Sequence, residues 1–310
     1  MAFGNGRGTL RSRLSGNKKK RWYEAVSKTI NKIKERGLKY TIAEICQEFG
    51  KTRQAYYQRQ RAVARQVFQE HLILQEVRAI RHRQPMVGTR KLHKMLQKRF
   101  TGTELVIGRD KLFNLLRKHN MLIKKRKSYR RTTQSHHRFR THKNLIKDIK
   151  ITRPEQVFVS DITYLELING FCYLALITDA YSRKIVGYDL SLSLAIDGSL
   201  RALKMALSGV KCPEELIHHS DRGIQYCANA YVETLLGKGA KVSMTEESHV
   251  YENALAERVN GILKTEFMLG EKLQSFETAK ELVKEAIEIY NNERLHLSLG
   301  YITPAQKHAA

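Results

Sequence analysis

The chain has 310 residues, of which 42% are hydrophobic, and its 56 Lys and Arg residues outnumber its 30 Asp and Glu residues to give a net charge of +26. This length exceeds a typical single domain and predicts a compact core of about 150 residues with smaller domains beside it. We expect neither a membrane protein nor a secreted one, because the sequence contains no apolar run of about 18 residues and no apolar signal core.

The positive charge lies in one half of the chain. Residues 1–150 contain 40 basic and 9 acidic residues, whereas residues 151–310 contain 16 basic and 21 acidic residues. Such a basic half predicts a polyanionic partner. An anionic membrane surface is the alternative, but helix-turn-helix patterns in the same half favour nucleic acid. The four cysteines have no spacing typical of a zinc site, which indicates a reducing, cytoplasmic compartment.

Residues 1–40 are predicted to form a basic arm followed by a helix. The arm is rich in Gly, Arg and Lys, and we expect it to become ordered when it meets DNA. Apolar side chains then recur at spacings of three and four residues, as on one face of a helix: Trp22, Val26, Ile30 and Ile33.

Residues 41–65 are predicted to form a helix-turn-helix. Thr41 and Glu44 make a capping box for the first helix, and the second runs from Arg53 to about Arg61. The second helix carries side chains able to reach phosphates and base edges in a DNA groove: Arg53, Gln54, Gln58 and Arg59. An ordinary helical hairpin with a solvated charged face is the alternative.

A similar unit is predicted within residues 66–123, where amphipathic helices span Thr89–Phe100 and about Gly108–Asn120. Its leucines are expected to form a core. Residues 124–153 are polar and basic and have no regular apolar period. They are predicted to form a linker that runs along the phosphate backbone of DNA. The alternative is a spacer that only keeps the protein soluble.

Residues 154–300 are predicted to form an α/β domain, and residues 301–310 a tail. Three antiparallel strands come first, with Asn169-Gly170 as a hairpin signal, and alternating helices and strands follow. Two final helices span about 254–268 and 276–291. This order predicts a mixed sheet that is covered by helices.

Three carboxylates in this domain suggest a metal site: Asp161 in an apolar strand, Asp221 directly after a short strand, and Glu257 on a helix. A buried Asp161 requires a cation or hydrogen-bond donors, and divalent metals are held by such oxygen ligands. Lys264, two turns after Glu257, is expected on the same helix face, pointing toward a phosphate. Each residue also has a structural alternative: Asp161 pairs with a basic residue, Asp221 caps a turn, and Glu257 pairs with cations on its helix.

Motifs around these residues closely resemble the catalytic protein of insertion-sequence-three (IS3) family bacterial transposases. The resemblance covers roughly residues 85–305. Its most specific motifs are Asp161-Ile162-Thr163-Tyr164, the segment from His219 to Tyr226, and Asn253-Ala254 followed by Glu257 and Leu263-Lys264-Thr265-Glu266. The 35 residues between Asp221 and Glu257 and a tail motif at 290–304 belong to the same pattern.

This resemblance implies a ribonuclease-H-like fold, shared with retroviral integrases, that follows all-α helix-turn-helix modules. It also implies an Asp-Asp-Glu active site, formed by Asp161, Asp221 and Glu257, that uses two Mg²⁺ or Mn²⁺ ions. The reaction implied is attack by water at an element end to release a 3′-hydroxyl, which then attacks a second phosphodiester. Both steps are in-line phosphoryl transfers.

The implied partners are the terminal inverted repeats of the element, target DNA and further copies of the chain, since two ends must be joined. We expect a homodimer or larger assembly in the bacterial cytoplasm, associated with the nucleoid and with no membrane partner. In addition to the helix-turn-helix residues, further polar and basic residues are expected at DNA: Arg90, Lys91, Arg109, Lys124, Lys125, Arg126, Lys127, Arg130, Arg131, Arg222, Asn253 and Lys264. Neither Ser220 nor His218 and His219 are expected to act as a nucleophile or as metal ligands.

Two departures from related patterns are visible. Glu252 stands where family members often have Asp, and no Cys pair follows His136-His137 to complete the zinc module of retroviral integrases. Two other functions remain open at this stage: a DNA-binding regulator with an inactive core, and a structure-selective nuclease of the same fold. Whether residues 1–60 replace the upstream DNA-binding segment that many members gain by frameshifting also stays open.

Overall fold

A computed structural model of the chain describes residues 18–124, 141–246 and 253–310. The predicted basic arm and most of the predicted linker lie outside these ranges. The chain divides into two compact units, residues 1–75 and 76–310. No helix in the described ranges is both long and apolar enough to cross a membrane.

The first unit contains α1 (Lys18–Glu35), α2 (Ile42–Glu48) and the first part of α3 (Arg53–Arg83). The predicted capping box is confirmed: the Thr41 hydroxyl accepts from the backbone N–H of Glu44, whose carboxylate accepts from the Thr41 N–H. One apolar cluster joins the three helices, as the sequence pattern predicts: Val26, Ile30, Ile45, Cys46 and Tyr56.

The second helix of this motif is longer than predicted. It does not end near Arg61 but continues to Arg83, for a total length of 31 residues, so the predicted domain boundary at residue 65 lies inside a continuous helix. The reason is that no helix-breaking Gly or Pro occurs between Arg53 and Arg83. Val67 and Phe68 are exposed on this helix, so its apolar residues do not mark a single buried face.

The second unit begins with the end of α3, followed by α4 (Thr89–Arg99) and α5 (Arg109–Lys118), at nearly the predicted positions. Gly88 and Gly108 are their N-cap residues. The predicted leucine core is confirmed, since Leu92 and Leu112 are fully buried. We call residues 84–122 the α4–α5 module.

A five-stranded sheet forms the centre of the second unit. Its strands are β1 (Val157–Leu167), β2 (Gly170–Asp179), β3 (Ile185–Ser191), β4 (Ile217–Ser220) and β5 (Lys241–Met244). The strand order is β3-β2-β1-β4-β5; β1, β2 and β3 are antiparallel, whereas β4 and β5 run parallel to β1. The predicted mixed sheet and the hairpin between β1 and β2 are both confirmed.

Helices cover both faces of the sheet, giving three layers. On one face lie α6 (Ile196–Ser208), α7 (Ile224–Cys227) and α8 (Asn229–Leu236), which pack on Phe158 and Ile177. On the other lie α9 (Ala254–Glu266) and α10 (Phe276–Asn292), which pack on Leu165 and Leu174. Gly187 in β3 allows α6 to approach closely, because a Cβ atom there would overlap with the Ala202 carbonyl group.

The predicted tail is part of the folded domain. It forms α11 (Pro304–Ala309), which Thr303 starts with a second capping box. The Lys307 ammonium donates to the Tyr181 hydroxyl at 2.7 Å, and the Ser182 hydroxyl lies 3.0 Å from Nδ1 of His308. The sequence gives no clear sign of this packing, because the partners lie 126 residues away in the chain.

Candidate active site

The two aspartates follow paired residues of neighbouring parallel strands. Ser160 of β1 pairs with Ser220, the last residue of β4, so Asp161 within β1 and Asp221 directly after β4 occupy equivalent positions. Asp221 begins a turn, in which its Oδ1 accepts from the Gly223 N–H at 2.9 Å. The predicted turn role of Asp221 is therefore present.

Glu257 lies in the first turn of α9, which packs against β1. The start of this helix is tied to the sheet by Asn253, whose Nδ2 donates to the Ser160 carbonyl oxygen at 2.9 Å. This hydrogen bond joins the start of α9 to β1 at Ser160, the residue directly before Asp161. Since a helix N-terminus carries a partial positive charge, it favours a carboxylate at this position.

The pKa of Asp161 indicates that its carboxylate interacts with the charges of Asp221 and Glu257. Burial and, to a smaller extent, the negative charges of Asp221 and Glu257 together raise the pKa of Asp161 to about 7, whereas a hydrogen bond from Asn260 opposes the shift. Asn260 Nδ2 donates to Asp161 Oδ2 at 2.7 Å. Asp221 and Glu257 are thus close enough to disfavour the ionisation of Asp161, and a cation placed beside Asp161 would relieve that repulsion.

The chemistry of this group fits a hard divalent cation, because carboxylate oxygens are the preferred ligands of Mg²⁺ and Mn²⁺. Within the described ranges, however, no three His, Cys, Asp or Glu side chains are grouped closely enough to hold one ion. Glu257, which is exposed, therefore has to move closer to the aspartates to complete such a site. We take the mutual repulsion around Asp161 as the observation that supports a cation.

Lys264 lies on the same face of α9 as Glu257 and Asn260, at spacings of seven and four residues. Its Nζ is 4.4 Å from the centre of the Tyr164 ring, a cation–π contact at the edge of β1. Burial lowers the pKa of Lys264, and the nearby Asp161 charge opposes that shift. The ammonium group is therefore close enough to Asp161 for the two charges to interact, and its contact with a phosphate stays a prediction.

Two residues predicted at DNA have structural roles instead. Lys91 is buried, and its ammonium group binds the Glu266 carboxylate at 2.6 Å. Asn253 is buried against β1. Neither polar group is accessible to a phosphate in this conformation, so these two expectations were wrong. In sequence, a buried lysine or asparagine looks the same as an exposed one.

The other predicted DNA contacts fall into three groups. Arg222 is half-buried and its Nε donates to the Thr245 carbonyl oxygen, and Arg59 is also half-buried. Exposed residues are Arg53, Gln54, Gln58, Arg90, Arg109 and Lys124. Outside the described ranges are Lys125, Arg126, Lys127, Arg130 and Arg131.

The two histidines before Asp221 are buried in the sheet, and His218 is a packing residue. Its Nε2 lies 2.6 Å from the Ser160 hydroxyl and 3.0 Å from the Tyr231 hydroxyl. Burial lowers the pKa of His218 to about 3, with a smaller effect from His219, so its ring is neutral. Nδ1 of His219 lies 2.8 Å from the Ser243 hydroxyl.

Sequence reasoning missed Asn260 and Glu266. Asn260 was detectable in principle, because it follows Glu257 by three residues on a helix and so shares its face. Glu266 pairs with Lys91 and Arg294, at separations of 175 and 28 residues. Spacing gives no signal for such a contact.

Known protein families match this part of the chain. The integrase core domain family matches residues 151–249, and a second integrase core domain family matches residues 238–304. The insertion element IS600 uncharacterized 31 kDa protein of Shigella sonnei is 36% identical over 266 residues, which are 84% of this chain and 96% of that protein. The chain belongs to the IS3 family of transposases.

Further relatives agree with this family. Transposase InsF for insertion sequence IS3A of Escherichia coli is 33% identical over 193 residues, covering 62% of this chain and 67% of that protein. A putative transposase for IS986/IS6110 of Mycobacterium tuberculosis is 34% identical over 163 residues, 51% of this chain and 59% of that protein. The HTLV-2 integrase catalytic core domain in complex with magnesium is 18% identical, with a TM-score of 0.41 over 50% of this chain and 97% of that one.

Proposed function

We propose that this IS3-family protein is a DNA transposase that binds the ends of its element, cleaves them to free 3′-hydroxyls and joins those ends to target DNA. The observation that carries the proposal is the placement of Asp161 beside Asp221 after paired residues of β1 and β4, where burial and the charges of Asp221 and Glu257 raise the pKa of Asp161 to about 7. A protein does not gain stability from such repulsion. It is the arrangement expected where a cation binds.

In this proposal the three acids are the catalytic ligands of divalent cations, Mg²⁺ or Mn²⁺, with two ions in each active site. Bound ions of this kind polarise a phosphodiester and make an attacking oxygen more nucleophilic. The protein's part is to hold the ligands in place. Asn260 orients Asp161 through its 2.7 Å hydrogen bond, and Asn253 fixes the start of the helix that carries Glu257.

Lys264 is proposed to bind the phosphate of the element end. It is partly desolvated beside Asp161, so its charge interacts with a phosphate more strongly than an exposed lysine would. Its contact with Tyr164 restricts where the ammonium group lies. Both features support a position of the Lys264 ammonium group near Asp161, where a scissile phosphate would be held.

The exposed residues predicted at DNA in the first unit and in the α4–α5 module are proposed to hold the rest of the element end: Arg53, Gln54, Gln58, Arg90 and Arg109. Arg53, Gln54 and Gln58 lie along the exposed start of α3, the second helix of the helix-turn-helix motif. Helices in this position enter the major groove in DNA-binding domains. Since transposition joins two ends, we further propose that at least two copies act together on DNA.

The experiment that tests this function is cleavage of a labelled duplex carrying the element's terminal repeat, with Mg²⁺ or Mn²⁺. The wild-type protein is expected to cut at the end and leave a 3′-hydroxyl. Asp221→Asn keeps the hydrogen bond to Gly223 through its amide oxygen but removes a charged ligand, so it should bind the duplex normally and cut it at least a hundredfold more slowly. Unchanged cleavage by this variant would reject the proposed site.

A further inference from the structure

The Glu266 carboxylate lies at the junction of three elements of the second unit. Lys91 of α4 donates to its Oε2 at 2.6 Å, and Arg294, just after α10, donates through Nε to Oε2 at 2.9 Å and through Nη2 to Oε1 at 2.7 Å. Only 8% of the Lys91 side chain and 5% of the Arg294 side chain are exposed. The carboxylate therefore has two buried partners, and burial, which alone would raise the pKa of Glu266, is outweighed by these cations.

The helix that ends at Glu266 is the same helix that carries the active-site residues. Glu257 lies nine residues earlier on α9, or about 14 Å along the axis. Asn260 and Lys264 lie between them. Because Glu257, Lys264 and Glu266 share one continuous helix, a displacement of its C-terminal end also affects the positions of the Glu257 and Lys264 side chains. Small misplacements of catalytic groups have large effects on rate.

The other partner of Glu266 belongs to the α4–α5 module. Lys91 faces the core, whereas the preceding residue, Arg90, is exposed on the same helix. The backbone of the module is also joined to α9, because the Met86 N–H donates to the Glu266 carbonyl oxygen at 3.2 Å. A molecule that binds the outer side of α4 thus acts on a helix whose inner side is bonded to α9.

Stability alone is a poor explanation for this contact. Burying an ammonium group lowers the pKa of Lys91, with a smaller contribution from Arg294 that Glu266 only partly offsets. An apolar side chain of similar volume avoids this desolvation, and buried ion pairs are often no more stabilising than such replacements. What an ion pair supplies beyond an apolar contact is a fixed direction and distance.

We propose that Lys91 is a positioning residue that couples the α4–α5 module to the catalytic helix through Glu266. The inference rests on the proposed transposase function. When the module is bound to element DNA, the Lys91–Glu266 pair holds α9 where Glu257 and Lys264 meet the scissile phosphate. Lys91 thus acts on the reaction from inside the protein, without touching DNA.

The test compares Lys91→Met with Lys98→Met, which removes an exposed lysine from the same helix. Methionine keeps the aliphatic stem of Lys91, and Arg294 still neutralises Glu266, so the fold should be retained. For Lys91→Met we expect the Kd for end DNA to stay within about twofold and its salt dependence to be unchanged. Its kcat for end cleavage should fall on the order of tenfold to a hundredfold.

A second measurement needs no reaction. The affinity of the DNA-free protein for Mn²⁺, measured by calorimetry, should be severalfold lower in Lys91→Met, because Glu257 is less well placed. Lys98→Met should match the wild type in all assays, and Lys91→Arg should restore cleavage because it can still bind Glu266. If Lys91→Met does not fold, Lys91→Gln takes its place with the same expected outcomes.

Two results would overturn the coupling. Weaker DNA binding with a smaller salt slope and a normal kcat would show that Lys91 contacts a phosphate. Normal cleavage and normal Mn²⁺ binding would show that the pair is only structural, whatever the change in melting temperature. A wild-type protein that does not cut element ends rejects the proposed function instead, so the two failures are distinguishable.

Discussion

Replacing Asp161 by Asn is expected to abolish cleavage and yet to stabilise the metal-free protein. The reason is that Asp161 is held in a site that disfavours its charged form, chiefly through burial and through the Asp221 charge. Asparagine has nearly the same shape and carries no charge. It removes the repulsion within the cluster while it fills the same space.

The magnitude follows from the pKa of Asp161, which the fold raises from 3.8 to about 7. Each pKa unit corresponds to about 1.4 kcal/mol, so the shift of roughly three units sets an upper limit of about 4 kcal/mol. Because Asp161 is partly exposed and its neighbours relax, we expect about 2 kcal/mol.

The pH dependence has a definite sign. An acid whose pKa is raised by folding binds its proton more tightly in the folded state. The contribution of Asp161 to the free energy of unfolding is therefore greatest below about pH 4 and is lost as the pH rises to about 7. The stability advantage of Asp161→Asn should therefore grow between pH 4 and pH 7 and remain constant above that range.

The assay is urea unfolding of both proteins with EDTA present, at several pH values between 5 and 8. Asp189→Asn is a matched control, since the Asp189 carboxylate accepts two hydrogen bonds from the Arg201 guanidinium and the substitution removes that ion pair. It should give no stabilisation. An Asp161→Asn protein that is less stable than the wild type at pH 8 would refute the idea of a repulsive acid cluster.

Three further outcomes are expected. Asn260→Ala removes the hydrogen bond that lowers the pKa of Asp161, so the acidic limb of the cleavage rate should move up by about one pH unit in a pH–rate profile; an unchanged profile would contradict this role. Lys264→Met should reduce the log–log salt slope of end binding by about 0.9, measured by band shift at several NaCl concentrations, and an unaltered slope would mean that Lys264 binds no phosphate. Thr41→Ala removes the capping box of α2 and should destabilise the first unit by about 1 kcal/mol. Hydrogen exchange in α2 measures this loss, Thr41→Ser should recover most of it, and equal protection in all three proteins would be the contrary result.

Most elements of the second unit could be predicted from local patterns. Apolar runs mark β1 and β2, and Asn169-Gly170 marks the hairpin between them. Asp161 stands out because it is an acid that closely follows the apolar run Val157–Val159. These signals are local. The folded sheet then brings Asp161 of β1 next to Asp221, which directly follows β4.

What the sequence could not reveal depends on long-range contacts. The continuation of α3 past Arg61 was missed because its exposed apolar residues give no single helical face. Lys91 was predicted at DNA because a lysine in a basic segment looks solvated. Its burial against Glu266 depends on a partner 175 residues away, so only the folded chain shows it.

The central claim is that one acid cluster both cuts and joins DNA. The most direct measurement supplies the protein with pre-cut terminal-repeat duplexes, plasmid target and Mn²⁺, and compares ends that carry a 3′-hydroxyl with ends that carry a 3′-deoxy sugar. The wild-type protein is expected to give joined products from 3′-hydroxyl ends and none from 3′-deoxy ends. Asp221→Asn is expected to give none from either. Cleavage without any joining would indicate a nuclease of this fold, and joining by Asp221→Asn would contradict the proposed site.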